Sequence, residues 1–277
     1  MLAVLALASS AVWGTSDFFG GLVAKRLPAI AVVGSTQAIA FVVLSVIVLV
    51  RAAQGHPPEW GEWVGWAMLA GVTGASGLVA FYTALASGTM GVVAPIASMG
   101  VLVPVALGVA TGEAPSPWVW LGIVIAVVGI VLASGPELSG DVSPRPVLLA
   151  GVAAACFGMA LFALDRGARD SLLMTLWGMR CTSVAIFVVV ALVLRSVGGI
   201  RARDLVALAL IGCADLLANA LFATASSRGQ VSIAAVLGSL YPVATILLAR
   251  VVLAERLRTI QVAGVACALL GAAVISL

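Results

Sequence analysis

Charged residues make up only 9% of the 277 residues, where a soluble domain carries roughly 25% because its surface must face water. So little charge cannot cover a globule of this size, and no long polar segment remains for a soluble domain. Histidine is reduced to His56 alone, which removes the general base that an intramembrane serine protease would need for GASG (Gly74 to Gly77). HExxH for zinc, GxGD for an aspartyl protease and GxxxxGK[ST] for ATP are all missing. The four cysteines, Cys156, Cys181, Cys213 and Cys267, sit inside apolar runs without a CxxC, which argues against disulfides and zinc and for buried packing. The net charge of +3 forms no basic stripe for nucleic acid. A channel's charge ring or filter-like loop is lacking too. Neither a metal nor a cofactor is expected, and catalysis is not the reading the residues favour.

What the sequence has is apolar length: 63% hydrophobic residues and a mean hydropathy of +1.23. A spanning helix needs about 20 apolar residues, so ten spans use most of the chain. Charges, prolines and glycines delimit them at Leu2–Ala24, Ala29–Val50, Trp63–Ala86, Met90–Thr111 and Ser116–Ser134, then Val147–Asp165, Ser171–Leu194, Leu205–Ser227, Ser232–Leu253 and Thr259–Ser276. The first run lacks a positive n-region and reads as a retained helix. The fold class is therefore an all-α integral membrane protein whose partner is the lipid bilayer. The polar stretch from Gly135 to Pro146 divides the chain into residues 1–138 and 145–277.

An internal repeat relates the two parts. Trp13-Gly14 lines up with Phe157-Gly158, Lys25 with Arg169, Gly34 with Gly178 and Arg51 with Arg195, all at an offset of 144. Gly88, Ala94 and Ser98 match Gly229, Ala235 and Ser239 at 141, and Glu113, Gly122, Gly129 and Ser134 match Glu255, Gly264, Gly271 and Ser276 at 142. Five spans per half is an odd number, so the second half enters the membrane from the opposite side. Inverted repeats of this kind place a solute site near the midplane, exposed alternately as one bundle rocks on the other.

At these residues the chain resembles a known family. WGTSDFFGG (Trp13 to Gly21) is similar to the first-helix signature of EamA-type members of the drug/metabolite transporter superfamily. GQVSIAAVLGSLYPVATILLARVVLAERL (Gly229 to Leu257) is similar to that family's most recognisable stretch, with Pro242 mid-helix and Glu255-Arg256 before the last span. A weaker copy, ending at Glu113, carries Val101 where the second half has Pro242, with Pro104 about one turn away. The resemblance implies a secondary transporter exporting amino acids or related metabolites. Drug, toxin or sugar efflux by the same fold is the alternative.

Ionisable groups inside spans are expensive, by about 2.5–3.5 kcal/mol on insertion scales, and mark solute or ion pathways. Asp17, Arg180 and Asp215 are the three candidates. Asp17 lies one turn beyond Trp13, and Asp215 one turn before Asn219 with Phe222 continuing the stripe, so each pair shares a helix face. Arg180 stands at the repeat position of Thr36, an asymmetry that binding one oriented solute requires. Arg180 is expected to attract a carboxylate, or to pair with Asp215 when the site is empty; Asp17 or Asp215 would meet an ammonium or carry a coupling proton. A purely structural Arg180–Asp215 pair is the competing expectation. Gln37 and Tyr241 complete the expected lining, while Tyr82, near a span end, is left between cavity and interfacial belt. Pro95, Pro104 and Pro242 mark spans 4 and 9 as cavity walls or moving elements. Gly122, Gly129, Gly264 and Gly271 assign spans 5 and 10 to close packing.

Two complete halves need no second copy to build a site, so a functional monomer in the plasma membrane is expected. Orientation is contested. Lys25, Arg26, Arg145, Arg195, Arg201, Arg203, Arg256 and Arg258 lie on the side away from the termini, against Arg51, Arg166, Arg169 and Arg228 on the terminal side. The positive-inside rule thus puts the termini outside, whereas the family resemblance implies termini in the cytoplasm.

Overall fold

The computed structural model describes residues 1–87, 90–133, 144–196, 198–252 and 259–276, and among them there are helices and no strands. The helices are α1 (Leu2–Ala24), α2 (Ala29–Ala53), α3 (Trp63–Ser87), α4 (Met90–Ser98), α5 (Leu102–Ala110), α6 (Pro117–Ala133), α7 (Pro144–Leu194), α8 (Leu205–Ser226), α9 (Val231–Gly238), α10 (Tyr241–Val252) and α11 (Thr259–Ser276). Gly88, Ser134, the linker from 135 to 143, Glu255, Arg256 and Arg258 fall outside the described residues.

Among the described residues, five helices are long and apolar enough to cross a membrane: α1, α2, α3, α7 and the stretch Ala202–Ser226 containing α8. Shorter apolar helical stretches run over Ile96–Ala110, Pro117–Gly129, Val231–Thr245 and Val262–Ile275. The outward faces of the long helices α2 and α7 carry Val42, Val46, Leu49, Val188, Val189 and Leu192, all exposed. A contiguous apolar surface of that kind calls for lipid, where every backbone polar group has to be satisfied inside its own helix.

Three sequence expectations need correction. The charged run after Asp165 is helical rather than a connection: α7 is two helical segments that meet at a kink at Ser171 (φ −150°, ψ 107°), the first running on through Arg166 and Arg169 to that kink and the second continuing to Leu194. The i,i+4 pair Arg169–Asp165 (3.0 Å) holds the helix through this run. Spans 4 and 9 are each broken in two. A 3₁₀ turn at Met99–Val101 separates α4 from α5, and Ser239 and Leu240 separate α9 from α10. Proline lacks the N–H that would bond four residues back, so Pro104 releases the Gly100 carbonyl and Pro242 that of Gly238. Of the cysteines expected to be buried, Cys213 is exposed and the other three are half-buried.

Each broken helix is gripped by a glycine. A Cβ on Gly14 would lie 2.4 Å from the Tyr241 carbonyl oxygen, and one on Gly158 would lie 2.2 Å from that of Gly100. The two glycines stand at repeat-related positions, as do Gly100 and Tyr241. Only glycine lets backbones approach so closely. α1 also packs on α8 and α9, and α3 on α7. Outside this arrangement α6 lies along α11, where a Cβ on Gly122 would come within 3.0 Å of the Gly271 carbonyl oxygen.

Candidate functional site

The helices line a cavity of about 90 Å³. Trp13, Asp17, Gln37, Arg180, Asp215, Asn219 and Tyr241 all line it. α6 and α11 contribute no described residue to its wall. Asp215 lies about ten residues from either end of α8, so ~15 Å of helix extends on each side at 1.5 Å per residue.

Helical spacing presents the polar groups in pairs. Trp13 and Asp17 come from one face of α1, Arg180 and Ser183 from one face of α7, and Asp215 and Asn219 from one face of α8. Arg180 Nη2 donates to Asp215 Oδ2 at 2.8 Å. Asp215 Oδ1 accepts from Trp13 Nε1 at 3.3 Å and from Asn219 Nδ2 at 3.1 Å. Asp215 is thus surrounded by donors, and Trp13 is fixed from its other side by Phe222, ring centroids 5.7 Å apart.

Arg180 is less complete. Its Nη1 donates to Gln37 Oε1, which also accepts from Ser183 Oγ at 3.2 Å. The side chain is buried, with the residue 3% exposed, yet its Nε has no hydrogen-bond partner. A buried donor left unpaired carries a desolvation penalty of about 1–3 kcal/mol, more on a charged group.

Asp17 is 7% exposed. Its hydrogen bond comes from the Tyr82 hydroxyl at 3.4 Å, a long and therefore weak contact. No ion pair joins it to a cation among the described residues. Tyr82, which the sequence left open between cavity and interface, is 2% exposed and belongs to the layer behind Asp17. In that layer Phe81 meets Phe157 and Tyr241 edge-on, at 5.6 and 6.2 Å. Tyr241 donates to the Ala94 carbonyl at 3.3 Å.

Gly100 and Gly238, at the two helix breaks, both line the cavity. Ser98, Ser183 and Phe157 are lining residues that the sequence reading did not select as site residues. For Ser183 a signal existed, since it follows Arg180 by one turn. Ser76, the serine of GASG, is exposed, whereas Gly74 and Ala75 beside it face the cavity.

Comparison with known proteins follows the same lines. A solved crystal structure superposes on 99% of this chain and 95% of its own, with a TM-score of 0.78 at 19% identity, and so shares the fold. Among curated proteins, none matches this chain in sequence. The EamA-like transporter family matches residues 1–135 and again 144–277. The chain therefore belongs to the EamA-like transporter family, within the drug/metabolite transporter superfamily, and is a multi-pass membrane protein.

Proposed function

We propose that this protein is a secondary transporter that carries amino acids, or closely related zwitterionic metabolites, across the plasma membrane by alternating access to the central cavity. The observation that carries the reading is Arg180, buried at the cavity wall with an unpartnered Nε. A solute carboxylate would occupy that donor, and the solute's ammonium would face Asp17, whose partner is a single distant hydroxyl. Asp215 serves a different role. Its ring of donors makes it the group that positions Arg180 rather than one that awaits a ligand.

The transport cycle follows from the architecture. Counting α7 as two segments, and α4 with α5 and α9 with α10 as one each, gives ten spans in two inverted five-helix halves, one on either side of the linker at 135–143. The matched contacts Gly14–Tyr241 and Gly158–Gly100 support this pairing. They hold a first helix of each half against the broken helix of the other, where rocking would bend the chain. Both halves reside in one polypeptide, so the unit of transport is a monomer.

Counterflow of labelled amino acids into proteoliposomes loaded with unlabelled solute tests the reading. Accumulation that is lost in Arg180→Gln is expected. Failure to accumulate any member of a broad amino-acid panel would contradict the substrate class and favour neutral metabolites or drugs.

A further inference from the structure

The glycines of α3 fall into different classes when each is asked what a side chain would meet. A Cβ on Gly71 would lie 2.6 Å from the Met179 carbonyl oxygen and 2.7 Å from Thr182 Cβ, and one on Gly77 would lie 2.8 Å from the Phe157 ring. Both are required by close packing against α7. Gly74 is not. A Cβ there would find only Ala160 Cβ, at 3.8 Å, an ordinary contact distance. Glycine in a helix interior is disfavoured relative to alanine, and no neighbour of Gly74 compensates for that. The space beside it belongs to the cavity, which both Gly74 and Ala160 line.

The cavity has two unlike sides. Its charged and amide groups, Asp17, Gln37, Arg180, Asp215 and Asn219, come from α1, α2, the second segment of α7 and α8. The first segment of α7 and α3 supply Ala70, Gly74, Leu78 and Ala160, with no polar side-chain atom among them. An occupant whose charged end is held at Arg180 therefore has its remaining body against a wall of hydrogen and methyl groups. The apolar wall alone would not identify a ligand. Arg180, whose Nε has no hydrogen-bond partner, lines the same cavity and supplies that second, independent sign.

Accepting the transport reading above, we infer that Gly74 is a specificity-determining residue: it leaves room for a bulky apolar side chain on the transported amino acid. Filling this position narrows the space from α3 without moving the charged groups. An added methylene or two in an apolar pocket discriminates by about tenfold or more. Gly74→Leu should therefore reject large solutes while retaining small ones. Ala160→Leu approaches the same space from α7 and should act in the same direction.

The test is counterflow of labelled alanine, valine, leucine and phenylalanine through wild type, Gly74→Ala, Gly74→Leu and Ala160→Leu, each first shown monodisperse in detergent. In wild type, leucine and phenylalanine are expected to accumulate. In Gly74→Leu they should fall by about tenfold or more relative to alanine, with alanine itself within about threefold of wild type and Gly74→Ala intermediate. If Gly74→Leu does not fold, Gly74→Ala and Ala160→Leu carry the same comparison. Wild-type transport with a size profile unchanged by these substitutions, or lowered equally for all four solutes, would overturn the inference while leaving the transport reading intact. A wild type that accumulates none of them overturns both.

Discussion

Arg180 and Asp215 meet in a 2.8 Å ion pair halfway through the bundle, and the carboxylate is better served than the guanidinium. Asp215 also accepts hydrogen bonds from Trp13 and Asn219, whereas Arg180 keeps an unpartnered, buried Nε. Removing one member of a buried pair strands the other charge, at a cost of about 3–5 kcal/mol, while removing both is far milder. Arg180→Gln and Asp215→Asn should each lower the unfolding temperature in detergent, and the double variant should recover most of the loss. Equal destabilisation by the double variant and either single one would contradict the pairing.

Asp17 and Tyr82 are coupled by a 3.4 Å hydrogen bond, too long to be strong. Tyr82→Phe should therefore reduce counterflow by no more than about fivefold, since a net hydrogen bond is worth about 1 kcal/mol or less at this length. Asp17→Asn removes the charge proposed to face the solute ammonium and should reduce counterflow by about tenfold or more. Reversal of that order, measured as initial rates, would move the ammonium site away from Asp17.

Glu113 joins the two halves of the chain. Its carboxylate accepts the backbone N–H of Val231 at 2.6 Å and of Ser232 at 3.1 Å, and the Ser232 hydroxyl as well. It thus caps the N-terminus of α9 and complements its dipole from a loop 118 residues earlier. Glu113→Ala should cost about 1–2 kcal/mol, read as a lowered unfolding temperature. Glu113→Gln, which keeps one acceptor oxygen, should cost less. Gly108→Ala should mimic the loss, because its Cβ would stand 2.6 Å from Glu113 Oε2.

Gly71 and Gly74 make opposite predictions within one helix. Gly71→Ala forces a methyl group against the Met179 carbonyl and should lower the unfolding temperature. Gly74→Ala meets only ordinary contact and should be neutral or stabilising by up to about 1 kcal/mol, the helix-propensity gain. Equal effects of the two substitutions would mean that the open space beside Gly74 is not real.

Much of this site was legible because helical spacing is arithmetic. Trp13 with Asp17, and Asp215 with Asn219, share faces by their separation alone, and Arg180 is conspicuous as a charge in an apolar run. Pro104 and Pro242 marked spans 4 and 9 as cavity walls or moving elements, although the breaks themselves were not read from the sequence. Other features depend on tertiary contacts that hydropathy does not record. Arg166, Arg169 and Asp170 read as a connection because charge usually leaves the membrane, yet Arg169 pairs back onto Asp165 and keeps α7 helical. Tyr82 stands near a helix end, and only packing against Asp17 and Phe81 shows it to be buried. Gly74 looked like part of a protease-like GASG; its meaning lies in what is missing beside it, and no sequence pattern expresses an empty space.

The most direct test of the central claim is counterflow through the double variant Arg180→Gln/Asp215→Asn. That variant carries no stranded charge and should remain folded, so its transport reports on function and not stability. If Arg180 receives the solute carboxylate, the purified double variant is monodisperse and stable but accumulates no labelled amino acid, while wild type does. Wild-type accumulation by the double variant would show that the pair is structural alone and that the solute is held elsewhere.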